Sequence, residues 1–190
     1  SNLLASNGVD TNKVTISGNP SFCSSFDDIL YSCGIQPYDT DGDGLDDYVE
    51  ALNNNEQYDA GDETDPSNPD TDGDGLTDFA EDTDGNGTPY NDDADDDNTI
   101  DALDTDDDGD GLLTAYEQAD INGNGLPDDA FDADKDGVPD YLDPDDDGDG
   151  ILTADEKADP NMDGNPADAV DSDGDSIPDY LDNDIDTDQD

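Results

Sequence analysis

The stretch Asp143–Glu156, DPDDDGDGILTADE, packs seven acids together with no base, and most of the chain resembles it. Across 190 residues, 59 acids face three lysines, Lys13, Lys135 and Lys157, and the formal net charge is -56. Charge at that density repels the chain open. With 29% hydrophobic residues and no Trp, a single oily core cannot hold the whole length together. A folded state therefore requires cations from solution to supply the missing cohesion. The same charge argues against nucleic acid and an anionic membrane surface as partners, because both are bound through basic contacts. No apolar run approaches the roughly 18 residues of a membrane helix, so direct membrane insertion is not expected.

The acids follow a grammar. In DTDGDGLTDFAE, Asp70–Glu81, acids stand at positions 1, 3, 5, 9 and 12 (Asp70, Asp72, Asp74, Asp78, Glu81), with Gly75 at position 6. This is the spacing of the twelve-residue EF-hand calcium loop. Alternate residues of a curling loop converge, so positions 1, 3 and 5 surround one point. Position 6 must turn with positive φ, which suits glycine. Position 7 (Leu76) lends a backbone carbonyl, and the last acid closes the site. DTDGDGLDDYVE supplies the same set from Asp39, Asp41, Asp43, Leu45, Asp47 and Glu50. Two further loops have threonine at position 9, Thr114 and Thr153. They use Asp106, Asp108, Asp110, Leu112 and Glu117, and Asp145, Asp147, Asp149, Ile151 and Glu156. In the last of these, Asp146 is expected to face away from its own loop and to help hold a neighbouring ion.

Three loops end in Asp: Asp93, Asp95, Asp97, Thr99, Asp101 and Asp104; Asp132, Asp134, Asp136, Val138, Asp140 and Asp143; and Asp171, Asp173, Asp175, Ile177, Asp179 and Asp182. Asn98 and Ser176 replace glycine at position 6 of the first and third. Three more are degenerate: Asp82, Asp84, Asn86 and Thr88, with Tyr90 at position 9; Asp120, Asn122, Asn124, Leu126 and Asp129; and Asp159, Asn161, Asp163, Asn165 and Asp168. Asp93, Asp132 and Asp171 each end one loop and begin the next, a placement that suits carboxylates bridging neighbouring ions. The expected cofactor is Ca2+, as multiple ions, roughly one or two per loop.

The loops repeat in phase. A shift of 39 residues lays Asp104–Leu142 on Asp143–Leu181 without a gap, with PDYLD at Pro139 meeting PDYLD at Pro178. A looser copy occupies about 65–103, and a partial one begins at Asp39. The fold class expected is little regular secondary structure: an elongated, calcium-stabilised repeat array with short helical turns at 76–82, 112–120 and 151–159. Apolar residues at position 7 and at positions 10 and 11, such as Tyr141–Leu142 and Tyr180–Leu181, are expected to form small clusters between successive loops.

Residues 1–34 stand apart as an acid-poor cap, connector or docking segment, and 35–190 form the tandem repeats. Cys23 and Cys33 sit in the first part, where an oxidising compartment would join them in a small loop and a reducing one would leave two free thiols. The chain begins at Ser1, which reads as a removed targeting segment or an excised piece. It ends with Asp186, Asp188 and Asp190 at the spacing of positions 1, 3 and 5, which reads as a site completed by further chain or by a neighbouring subunit.

TDPSNPDTDGDGLTDFAE (Thr64–Glu81) and DKDGVPDYLDPDDDGDGI (Asp134–Ile151) resemble thrombospondin type 3 repeats, the first in their bacterial form and the second in the alternating short and long units of the animal form. The resemblance covers about residues 37–190. It implies a calcium-filled wire in secreted or surface proteins, acting as stalk, spacer or adhesive element. The animal repeats are rich in disulfides, whereas residues 37–190 here contain no cysteine, so calcium and packing carry the whole task. An extracellular or cell-surface structural protein follows as the expectation: a calcium-stiffened rod serving as stalk or as filament subunit by head-to-tail assembly, or attached to other domains of a larger surface protein. The alternative is a calcium-dependent adhesion or ligand-binding module, which glycan or surface binding at fixed calcium would separate from a plain rod. No catalytic constellation is visible. Without histidine there is no His-based triad or His-containing zinc site, and the acids are too regular for a glycosidase pair.

Overall fold

The computed structural model describes residues 38–50 and 63–183. The 1–34 segment with Cys23 and Cys33, and the terminal Asp186, Asp188 and Asp190, lie outside the described residues. Each loop is wound by its own acids. The carboxylate at position 5 accepts the N–H of position 7, as in Leu45 to Asp43 at 2.8 Å, Leu76 to Asp74 at 2.8 Å and Ile177 to Asp175 at 2.8 Å. Position 3 accepts from position 5 in the same way, as in Asp74 to Asp72 at 3.0 Å and Asp149 to Asp147 at 3.0 Å. Position 1 accepts from positions 4 and 6: Asp120 takes Gly123 and Gly125, and Asp171 takes Gly174 and Ser176. Such short side-chain-to-backbone bonds compete with helix and strand, which explains why aspartate dominates and regular structure is scarce.

Regular elements among the described residues are one four-residue α-helical turn, Asp47–Glu50, and isolated 3-10 turns, with no strand. The turns keep the 39-residue phase. Thr114–Tyr116 recurs as Thr153–Asp155, Pro127–Asp129 as Pro166–Asp168, and Asp140–Leu142 as Asp179–Leu181. The short helical turns expected at 112–120 and 151–159 are single 3-10 turns. At 76–82 only hydrogen-bonded turn remains. Prolines open three of the 3-10 turns, where a missing N–H costs nothing and φ is already suitable.

Cohesion between repeats comes from two small apolar clusters. Leu76, Ala119 and Tyr141 form one, and Leu112, Ala158 and Tyr180 the other. Each joins a position-7 leucine to an alanine and a tyrosine from the next repeat. Leu45 is also buried, whereas Val138, Ile151 and Ile177 at the same position of other loops are exposed. Backbone bonds reinforce the contact: Thr77 N–H donates to the Gly125 carbonyl at 3.1 Å, and Leu113 N–H to that of Gly164 at 3.0 Å. Tyr90, which left position 9 of its loop without an acid, ties segments instead. Its hydroxyl donates to the Glu50 carbonyl at 2.7 Å and accepts the Thr64 N–H at 3.1 Å.

Positive φ falls at position 6, as the spacing requires, including Asn98 (φ 83) and Ser176 (φ 86). It also falls at position 4, where glycine is common and Asp96, Lys135 and Met162 are forced into the same region. Replacing Ser176 by Gly relieves left-handed strain and is expected to raise folded-state stability by about 0.5–1 kcal/mol, after the entropy glycine adds to the unfolded chain. Gly164→Ala is expected to lower it, because φ is +76° and a Cβ would press on the Leu113 side chain. Thermal unfolding in excess calcium checks both; an unchanged midpoint for Ser176→Gly would contradict the assignment of strain.

Candidate metal centres

The loops fall into two kinds. The four loops closed by the longer glutamate side chain, called the long loops, begin at Asp39, Asp70, Asp106 and Asp145 and close inward, whereas the others bury fewer of their acids. In the loop at 70–81, Asp70, Asp72 and Asp74 gather as expected, and Asp39, Asp41 and Asp43 do the same at 39–50. Closing acids join them: Glu50, Glu81 and Glu117 are buried, and Glu156 is half-buried. The winding bonds explain the geometry. One oxygen of each aspartate holds backbone, and the other is left pointing inward. Asp41 Oδ2, Asp72 Oδ2, Asp74 Oδ2, Asp108 Oδ2, Asp110 Oδ2 and Asp147 Oδ2 are all buried with no hydrogen-bond donor. Both oxygens of Glu50 and of Glu117 are in the same condition.

Such an arrangement has a measurable consequence. Burial pushes these carboxyls up, and their neighbours add to it. Glu117 is pushed up to about 11 by burial and by Asp108 and Asp110. Glu50 rises to about 8 by burial beside Asp41 and Asp43, and Asp108 to about 8 by burial beside Asp110. Burial lifts Asp72 to about 8 and Glu156 to about 8, each with acids of its own loop alongside. Three lysines in the whole chain cannot neutralise such clusters, so either protons or cations from solution must.

Position 9 serves as a brace. Asp78 accepts the Thr71 N–H and hydroxyl, each at 2.7 Å. Asp47 holds Thr40 and Asp179 holds Ser172 in the same way. Asp101 and Asp140 take the N–H of Ala94 and Ala133. In the loops that have Thr114 and Thr153, the hydroxyl performs the bracing, receiving the N–H of Asp107 and Asp146. The acid has moved to position 2. Asp107 and Asp146 are buried, with neither oxygen hydrogen-bonded. Asp107 lies with Asp74 and Glu81 of the preceding long loop, and Asp146 with Asp108, Asp110 and Glu117.

The remaining loops are wetter. In those ending in Asp, the closing residue does approach its own loop: Asp104 faces Asp97 and Asp95, and Asp143 faces Asp136 and Asp134. Asp182 lies within electrostatic reach of Asp147 of the loop at 145–156. Asp93 and Asp171 spend both oxygens on the backbone of the loop they begin, and Asp132 accepts the Lys135 N–H. The degenerate loops satisfy themselves. Burial raises Asp120 slightly, but the N–H groups of Gly125, Asn124, Gly123 and Asn122 outweigh it and hold the carboxyl low. Asn122 and Asn124 donate to Asp128, and Asn86 to Asn91. Thr88 and Asn165 cap 3-10 turns, and Asn161, Asp163 and Asp168 are exposed. Asp82 and Asp84 meet Asp92, whose carboxylate takes the Thr83 hydroxyl at 2.6 Å. Reading by loop position passed over Asp92, Asp107 and Asp128. Asp107 had a signal, the exchange of Thr and Asp between positions 2 and 9.

Among the described residues, several groups of three or four acids are thus placed to hold a metal ion. Comparison of the chain with protein-family models, with curated proteins and with solved structures finds no match.

The pH dependence changes sign with the cation. Without one, the buried acids have folded pKa values raised above the usual unfolded value near about 4. Their contribution favours folding fully below that value and is lost as pH rises through about 8 for Glu50, Asp72, Asp108 and Glu156. A cation depresses the same groups, so stability is present above about pH 4 and lost on acidification. Hydrodynamic radius against pH, in chelator and in calcium, is expected to give opposite slopes. Parallel profiles would contradict cation binding by these acids.

Proposed function

We propose that the protein is an extracellular calcium-binding structural element similar to thrombospondin type 3 repeats. It is a calcium-stiffened rod that serves as stalk or filament subunit, with head-to-tail assembly, and has no catalytic role. The observation that carries this reading is the set of buried carboxylate oxygens without donors in every long loop, in a chain with three lysines. Calcium is the ion favoured by the donor chemistry. The loops offer only oxygen, with neither sulfur nor imidazole, which selects hard cations over zinc or copper. Crowded aspartates, a carbonyl and a closing glutamate suit six to eight ligands at about 2.3–2.6 Å, whereas Mg2+ demands a tight octahedron and keeps its waters. Binding and folding are then one process, since the charges repel until the ion arrives.

Equilibrium dialysis is expected to show several calcium ions bound per chain, with individual sites in the range of about 10⁻⁴–10⁻³ M and magnesium a poor competitor. Equal affinity for the two ions, or none for calcium, would overturn the assignment. Sedimentation at saturating calcium tests assembly separately: mass that grows with concentration supports the filament, and a single-chain mass at all concentrations leaves the monomeric stalk.

A further inference from the structure

We propose that Asp107 and Asp146 are cation ligands given by one long loop to the long loop before it, so that these sites are closed across a repeat boundary. This rests on the calcium reading above, and it adds ligands that lie outside the loop grammar, at position 2. Two observations carry it. One oxygen each of Asp108, Asp110, Glu117 and Asp146 lies within 4.8 Å of all the others, and the same holds for Asp74, Glu81 and Asp107. Oxygens sharing one calcium ion at about 2.3–2.6 Å stand no more than about 5 Å apart, so each group fits a single ion. Independently, Asp107 and Asp146 are each 2% exposed, and neither of their oxygens meets a hydrogen-bond donor. A carboxylate so placed is costly to ionise unless a cation meets it.

Local structure explains how position 2 comes to point outward from its own loop. The Thr114 and Thr153 hydroxyls accept the position-2 N–H and so hold the loop closed in place of an acid. The position-2 side chain is then free to reach the loop before it. In the loop at 70–81 the pair is exchanged: Thr71 stands at position 2, and Asp78 at position 9 accepts the Thr71 N–H and hydroxyl with both oxygens. The reach of Asp146 registers the repeats, because the ion held by Asp108, Asp110 and Glu117 is fully ligated only when the loop at 145–156 is docked.

The test is calcium titration of the full chain against a competing indicator dye. Asp107→Asn and Asp146→Asn keep size and shape but remove the charge. Each is expected to weaken one of the tightest sites about tenfold or more while the other ions still bind. The exchange Asp146→Thr with Thr153→Asp keeps the brace but spends the carboxylate on it, as Asp78 is spent on Thr71, and is expected to leave the site as weak as Asp146→Asn does. Isotherms for Asp107→Asn and Asp146→Asn that match wild type would overturn the proposal and leave the calcium reading intact. If Asp146→Asn fails to fold, Asp107→Asn decides: one weakened site supports the cross-repeat ligand, and an isotherm that matches wild type overturns it. Loss of calcium binding in the wild type itself would defeat the underlying reading instead.

Discussion

Everything in this structure depends on bringing like charges together and holding them there. The backbone does the gathering. In the long loops, one carboxylate oxygen at positions 1, 3 and 5 accepts an N–H from two to five residues ahead, which curls the chain and leaves the second oxygen to the loop interior. Each such bond is a charge-assisted one, individually modest in net effect. Together they replace helix and sheet as the means of specifying conformation. What they cannot do is neutralise the inward oxygens, and the chain has almost no basic side chains for the purpose. The fold therefore gathers acids into groups placed to hold a metal ion.

Packing is secondary but directional. The clusters at Leu76, Ala119 and Tyr141 and at Leu112, Ala158 and Tyr180 each draw on consecutive repeats, as do the acid groups beside them. Tyr141 lies near Asp107, Glu81 and Asp74, and Tyr180 near Asp146, Glu117 and Asp110, and burial and these carboxylates push both phenols up. The phenols thus stay protonated beside these acids, forming an apolar and neutral wall. A low-dielectric wall strengthens a carboxylate–cation contact that water would otherwise screen. The wetter loops between, with their amide-to-carboxylate bonds, connect these centres.

Much of this was legible in the residues. The DxDxDG spacing located the left-handed turn at position 6, and Asn98 and Ser176 there do adopt positive φ. The 39-residue phase is visible again in the recurring 3-10 turns. The short helical turns expected at 112–120 and 151–159 are each a single 3-10 turn, because aspartates on both sides bind their own backbone and limit them. The brace at position 9 was hidden because an acid there looks like a ligand until the Thr71 or Ser172 hydroxyl is seen on it. Contacts across repeats, such as Asp107 with Glu81, depend on how loops stack, which no single loop encodes.

The central claim is that cations from solution supply the attraction this fold lacks. Small-angle X-ray scattering of the full chain with calcium, and again after chelator, tests it most directly. The account predicts a defined profile in calcium and an expanded, coil-like one at neutral pH without it. A profile unchanged by chelator would contradict it.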